Sequence, residues 1–174
     1  MGSRTAIASA LSRYLKAGSV KQPARGLYQI PETHPLVGEL AASPDQIATA
    51  LAEQHHLKLQ PSGAYAANLL GLSDQVPLRI VYLTDGTPRH VQSGKQQIVL
   101  RRTTPRNMAT TGRVSGLVIQ ALRYLGRRHV DRTVVEKLRK RIRPEDRVQL
   151  LKDIPLAPLW IGEVMRRVAT GPQP

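Results

Sequence analysis

An α+β fold is what this sequence predicts, and three observations carry the prediction. Short β-prone runs separated by Asp-Gly and Ser-Gly turns occupy residues 78–102, the apolar spacing becomes helical from residue 113 onward, and a helix-plus-hairpin pattern precedes both. The expected organisation is a short module over residues 1–31, then an α+β domain over residues 36–174 with a small antiparallel sheet and C-terminal helices.

The first module begins with Ser3, a residue suited to cap a helix. Ile7, Leu11, Tyr14 and Leu15 follow at i, i+4, i+7 and i+8 until Gly18 stops the pattern. The remaining positions are small or cationic: Arg4, Thr5, Ala8, Ser9, Ser12, Arg13 and Lys16. Two β-prone runs, Ser19 to Gln22 and Leu27 to Ile30, flank Pro23-Ala24-Arg25-Gly26 and predict a hairpin with cations near its tip. A helix, a tight stop and a basic hairpin make up the second half of a winged helix-turn-helix. The expectation is therefore a recognition helix and a wing, a partial form of that motif. In such a module Arg4, Thr5, Ser9, Ser12, Arg13 and Lys16 face the groove of DNA while Lys21 and Arg25 meet backbone phosphates. The competing expectation is a helix and hairpin that only pack on the next domain.

Beyond a link bounded by Pro31 and Pro35, Ser43-Pro44-Asp45-Gln46 reads as an N-cap, a proline at the first helical position and a capping-box glutamine. A helix should run from there to about His55. Leu57 to Gln60 predicts a short strand, and Ala64 to Leu70 a small helix ended by Gly71. Leu78 to Leu83, His90 to Gln92 and Gln97 to Arg102 predict three strands, expected as an antiparallel meander. Val114, Leu117, Val118, Ala121, Leu122 and Leu125 then form one helical stripe. A further helix capped by Asp131 should bury Val134, Val135, Leu138 and Ile142. Two helices near 145–152 and 156–169 close the chain with Leu150, Trp160, Ile161, Val164 and Val168 inward.

Charge is distributed unevenly along this frame. The chain has 26 Lys plus Arg against 12 Asp plus Glu, a formal charge of +14, with an apolar content of 41% that marks a folded chain rather than a disordered one. Residues 1–31 hold five basic side chains and no acid, whereas residues 32–88 hold two basic and six acidic ones. Residues 89–143 carry fifteen Lys or Arg against Asp131 and Glu136 alone. A field of this kind attracts polyanions, and nucleic acid is the commonest intracellular one. The later block predicts an auxiliary basic surface of Arg101, Arg102, Arg106, Arg113, Arg123, Arg127, Arg128, Arg139, Lys140 and Arg143. Its competing reading is a set of solvated helix faces. No run reaches the roughly 18 apolar residues of a membrane span, and no secretory leader is visible at the start, so a cytoplasmic protein is expected. The absence of Cys removes disulfides, thiolate catalysis and cysteine zinc sites.

Candidates for catalysis have simpler uses. His55-His56 closes a helix, where adjacent side chains point about 100° apart and suit the C-terminal dipole better than a metal. His34, His90 and His129 are isolated, Asp85 sits in a Thr-Asp-Gly turn and Ser62 precedes Gly63 at a helix start. No acid pair for general acid–base work and no phosphate-binding glycine loop occurs, so neither an enzymatic role nor a cofactor or metal is expected. With no Phe, one Trp and five Tyr, a platform of stacked bases is disfavoured relative to a helix in a groove.

Three blocks in fixed order, PSGAYAANLLGLSDQVP, YLTDG and RRTTPRN, together with the opening SRTAIASALSRYLKAGSVKQPARGLYQIP and the later GRVSGLVIQALRYLG, resemble the AbiEi-type antitoxin family of abortive-infection systems. The resemblance covers nearly the whole chain. It places that family's recognition helix on Ser3 to Ala17 and its wing on Ser19 to Ile30, with the first half of the winged helix missing. It implies a DNA-binding antitoxin that represses its own transcription from operator DNA and opposes a nucleotidyltransferase-type toxin in phage defence. The alternative is a protein- or RNA-interaction module that neutralises the toxin by binding it or its RNA substrate.

Overall fold

Helix α1 (Arg4–Lys16) opens the structure, a computed structural model that describes residues 4–24, 26–34, 38–40, 42–93 and 95–171, with side chains described outside residues 4, 23, 24, 32–34 and 38–40. Ser3 and Arg25, named above as cap and wing-tip residues, lie outside the described residues, as does the side chain of Arg4. Gly18, at a φ of +72°, takes the chain out of the helix in the left-handed conformation that a Cβ disfavours. The expected hairpin follows as β1 (Lys21–Ala24) and β2 (Leu27–Gln29), antiparallel with Ala24 opposite Leu27 and a register irregularity between Lys21 and Ala24. The proline-bounded link is not a plain connection: a second hairpin, β3 (Glu32–His34) with β4 (Gly38–Leu40), occupies it.

Helix α2 (Pro44–His55) starts with the anticipated capping box. Ser43 Oγ accepts from the Gln46 N–H at 3.2 Å and Gln46 Oε1 accepts from the Ser43 N–H at 2.8 Å. β5 (Leu59–Ser62) and α3 (Gly63–Leu69) come next, then β6 (Arg79–Thr84), β7 (Arg89–Ser93) and β8 (Gln96–Arg102). These four strands make one sheet in the order β5-β6-β8-β7.

The sheet is mixed, which corrects the expected meander: β8 lies between β6 and β7, parallel to β6 and antiparallel to β7. Burial explains the order. Ile98, Val99 and Leu100 are consecutive and all buried, so β8 needs cover on both faces and takes a central place. β7 buries only Val91 and stays at an edge. Residues 85–88, reaching about 13 Å at roughly 3.3 Å per residue, suffice to step across two strand spacings of about 4.8 Å each. Pro61, which has no N–H, is accommodated in the other edge strand, β5.

One face of the sheet buries Ile80, Tyr82, Val91, Ile98 and Leu100 against Ile47, Ala48 and Leu51 of α2. On this side Asp45 accepts from the hydroxyls of Tyr65 at 2.6 Å and Tyr82 at 2.5 Å, tying the first turn of α2 to the sheet. The two rings meet edge to face with centroids 5.7 Å apart.

A second core is helical. α4 (Pro105–Met108) and α5 (Val114–Leu125) lead into α6 (Arg132–Arg141), α7 (Pro144–Lys152) and α8 (Leu159–Thr170). Val118, Leu122, Leu138, Leu150, Ile161, Met165 and Val168 fill their centre, with Ala66 and Ala67 of α3 packed in as the link between the cores. Asp131 caps α6 by accepting from the Val134 N–H at 2.9 Å, as its sequence position indicates. α5 crosses β5 at Gly116, where a Cβ would crowd the Gln60 side chain of β5 and lie 2.5 Å from the Thr110 carbonyl oxygen in the turn before α5. Only a glycine permits that approach.

Candidate nucleic-acid interface

At 100° per residue, Thr5, Ser9, Ser12, Arg13 and Lys16 occupy a stripe about 100° wide on α1. All five are exposed. Among the described residues no carboxylate pairs with Arg13 or Lys16. Ile7, Leu11 and Tyr14 lie on the other side of the helix, and Ile7 and Tyr14 remain 54% exposed, so α1 stands out from the body rather than completing a core. The hairpin is better anchored. Leu27 packs against the sheet-and-α2 core, a Cβ on Gly26 would meet the Gln54 side chain at 2.8 Å, and β1 lies beside β7. Lys21 is exposed on β1, next to the helix it follows.

The ten residues of the later basic block do not form a single surface. Arg113 is ion-paired with Asp153, and Arg143 pairs with Glu145 at 3.3 Å and Asp146 at 2.8 Å. Those two cations are occupied within the chain. Arg102 and Arg106 are exposed at the end of β8 and on α4. Arg127 and Arg128 are exposed on a 3₁₀ turn, Arg127–His129, whose His129 Nδ1 lies 2.8 Å from the Leu125 carbonyl. Arg139 and Lys140 share a groove with Arg141 and Arg147, and Arg139 faces a second groove with Arg132, Arg166 and Arg167 between α6 and α8. Arg101 and Arg123 come together elsewhere, over the sheet face opposite α2.

Several contributors to these clusters were not anticipated. Arg79 sits in an acidic stretch of sequence, and Arg166 and Arg167 belong to a charge-balanced tail, so neither stands out by local charge. The alternation of Arg79, Val81 and Leu83 on β6 was the available signal for Arg79, since it places all three on one sheet face.

Residues 1–150, from α1 to the buried Leu150 of α7, match the sequence profile of one family. The chain belongs to the DUF6088 family, a family of unknown function. The DUF6088 match takes in α1, both hairpins, the mixed sheet and every candidate residue from Arg4 to Arg143, and leaves α8 with Arg166 and Arg167 outside. No curated protein and no solved structure matches this DUF6088 chain.

No helix among the described residues is long and apolar enough to cross a membrane. Among the same residues no group of three or more His, Asp or Glu is placed to hold a metal ion. Asp85 has a structural use, since its Oδ1 accepts from the Lys58 N–H at 2.9 Å and fixes the β5–β6 end of the sheet.

Proposed function

We propose that the chain is a cytoplasmic, non-enzymatic antitoxin that binds double-stranded operator DNA, represses its own transcription and opposes a nucleotidyltransferase-type toxin. The observation that carries the DNA-binding part is the exposed stripe of Thr5, Ser9, Ser12, Arg13 and Lys16 on α1 beside the Lys21 hairpin. Small side chains let a helix approach base edges while flanking cations hold phosphates. The antitoxin part is supported by the ordered sequence blocks described above.

Fluorescence anisotropy against duplex DNA from upstream of the chain's own reading frame tests the proposal. If about six phosphates are neutralised, affinity falls roughly a thousandfold between about 50 and 200 mM salt. A slope near zero overturns the assignment. Co-expression that leaves a neighbouring nucleotidyltransferase fully toxic removes the antitoxin part.

The arginine-lined grooves beside α6 favour a second reading in which the C-terminal half engages the toxin or its RNA substrate. Competition between folded RNA and duplex DNA separates the two.

A further inference from the structure

The sheet face opposite α2 is covered by α5 along β5, and a cleft lies beside α5 over β6 and the end of β8. Gln60 and Ser62 of β5 are buried beneath α5, where Ser62 Oγ donates to Gln120 Oε1 at 3.3 Å. Next to that covered edge, β6 and β8 floor a cleft of about 610 Å³ with Val81 and Leu83. A volume of this size is typical of small-molecule sites, at roughly 300–1,000 Å³.

Arginines line it. Arg101 is paired in register with Leu83, and Arg123 reaches in from α5. Arg123 is held in place: its Nη1 donates to Asn107 Oδ1 at 2.7 Å, and Asn107 Nδ2 donates to Thr103 Oγ1 at 2.8 Å. Arg79 stands on the same face four residues back along β6, about 13 Å away at roughly 3.3 Å per residue. No Asp or Glu lines the cleft, and among the described residues none pairs with these three guanidinium groups. Tyr124, 54% exposed, adds an aromatic ring to the wall.

We infer that this cleft binds a nucleoside phosphate, with phosphate oxygens on Arg101 and Arg123 and the base against Tyr124. Planar guanidinium groups match phosphate in paired hydrogen bonds, and the half-apolar floor of Val81 and Leu83 suits a sugar or base edge. Tyr124 provides one stacking surface, which is what one base requires. The inference stands apart from the DNA-binding role of α1, because it uses other residues and another ligand form. The ligand is either a free nucleotide or the phosphorylated end of a strand.

Isothermal titration of the full chain with UTP, UMP, inorganic triphosphate, uridine and a 5′-phosphorylated hexauridylate tests it. Saturable UTP binding is expected, weakened about tenfold or more by Arg101→Gln with Arg123→Gln. Tyr124→Ala should weaken UTP about fivefold or more and leave inorganic triphosphate unchanged. Tighter binding of the hexauridylate than of UMP names a strand end as the source, and the reverse names a free nucleotide. The inference is overturned by absence of UTP binding at millimolar concentration, or by UTP binding that survives the double arginine variant. Equal affinities for UTP and inorganic triphosphate, insensitive to Tyr124→Ala, also overturn it. So does an equal loss from Arg132→Gln with Arg167→Gln, which lie in a different groove. Circular dichroism melts confirm that the variants are folded.

Discussion

Arg113 Nη1 donates to Asp153 Oδ1 at 2.5 Å across forty residues of sequence, joining the start of α5 to the end of α7. Ser115 donates to the other carboxylate oxygen, so a carboxylate only 3% exposed has both oxygens engaged. A cation that local charge assigns to a polyanion surface is thereby tied to a buried carboxylate at the edge of the helical core. Replacing Asp153 by Ala should cost about 3 kcal/mol, because it strands the Ser115 hydroxyl and leaves Arg113 without its counter-charge. Urea unfolding reads this directly, and a loss below about 1 kcal/mol would show that the pair is a surface contact.

Gly116→Ala tests the crossing of α5 over β5. The new methyl would press on the Gln60 side chain of β5 and meet the Thr110 carbonyl at 2.5 Å, where the backbone has no flexible end to yield. A destabilisation of about 1–3 kcal/mol is expected from overpacking, whereas an unchanged melt would mean that the helix can lift from the strand.

The Asp45 cluster predicts an alkaline transition. Burial, reinforced by the Asp45 carboxylate, pushes the Tyr65 phenol up to about 12 and raises Tyr82 in the same direction. Folding therefore favours the neutral phenols. Their contribution is fully present below the unfolded value of about 10 and is lost as pH rises through the folded value. Urea midpoints measured from pH 9 upward should fall above about pH 10, and the Tyr65→Phe, Tyr82→Phe double variant should flatten that fall. A fall of the same steepness in the double variant would place the titrating group elsewhere.

Ser43→Ala removes one half of the α2 capping box and should cost about 1 kcal/mol. Gln46→Ala removes the reciprocal bond. The two losses should be less than additive, since both serve one helix start. Thermal melts of the single and double variants provide the cycle.

Charge removal on α1 has a graded signature. Arg13→Gln and Lys16→Gln should each lower the slope of log affinity against log salt by about one on duplex DNA, uniformly across sequences. Ser9→Ala or Ser12→Ala should instead alter preference between sequences while leaving the salt slope intact. Arginine and lysine variants that leave the slope unchanged would remove α1 from the phosphate contacts.

Features governed by neighbours in sequence were legible from the residues alone. The Ser43–Gln46 box, the Asp131 cap, the left-handed stop at Gly18 and the apolar spacing from Val114 to Val168 each depend on a few consecutive positions. The short hairpin of residues 32–40 was not legible, because its three-residue strands carry too few side chains to establish a period of two. Strand order was missed for a different reason: a four-residue link is compatible with pairing to a neighbour or stepping past it. The apolar run Ile98-Val99-Leu100 decides between them only once both sheet faces are known to be covered.

By itself the sequence determined the kind of protein this is: a helix and hairpin bearing cations without acids, then an α+β body with a strongly basic second half. Only the tertiary structure decided which cations are available. Arg113 and Arg143 found carboxylates, whereas Arg79 left an acidic stretch to line one cleft beside α5 with Arg101 and Arg123. The reason is physical. Net charge is a sum over the chain, but a guanidinium group meets a ligand only where packing has left it unpaired, and pairing depends on residues far away in sequence.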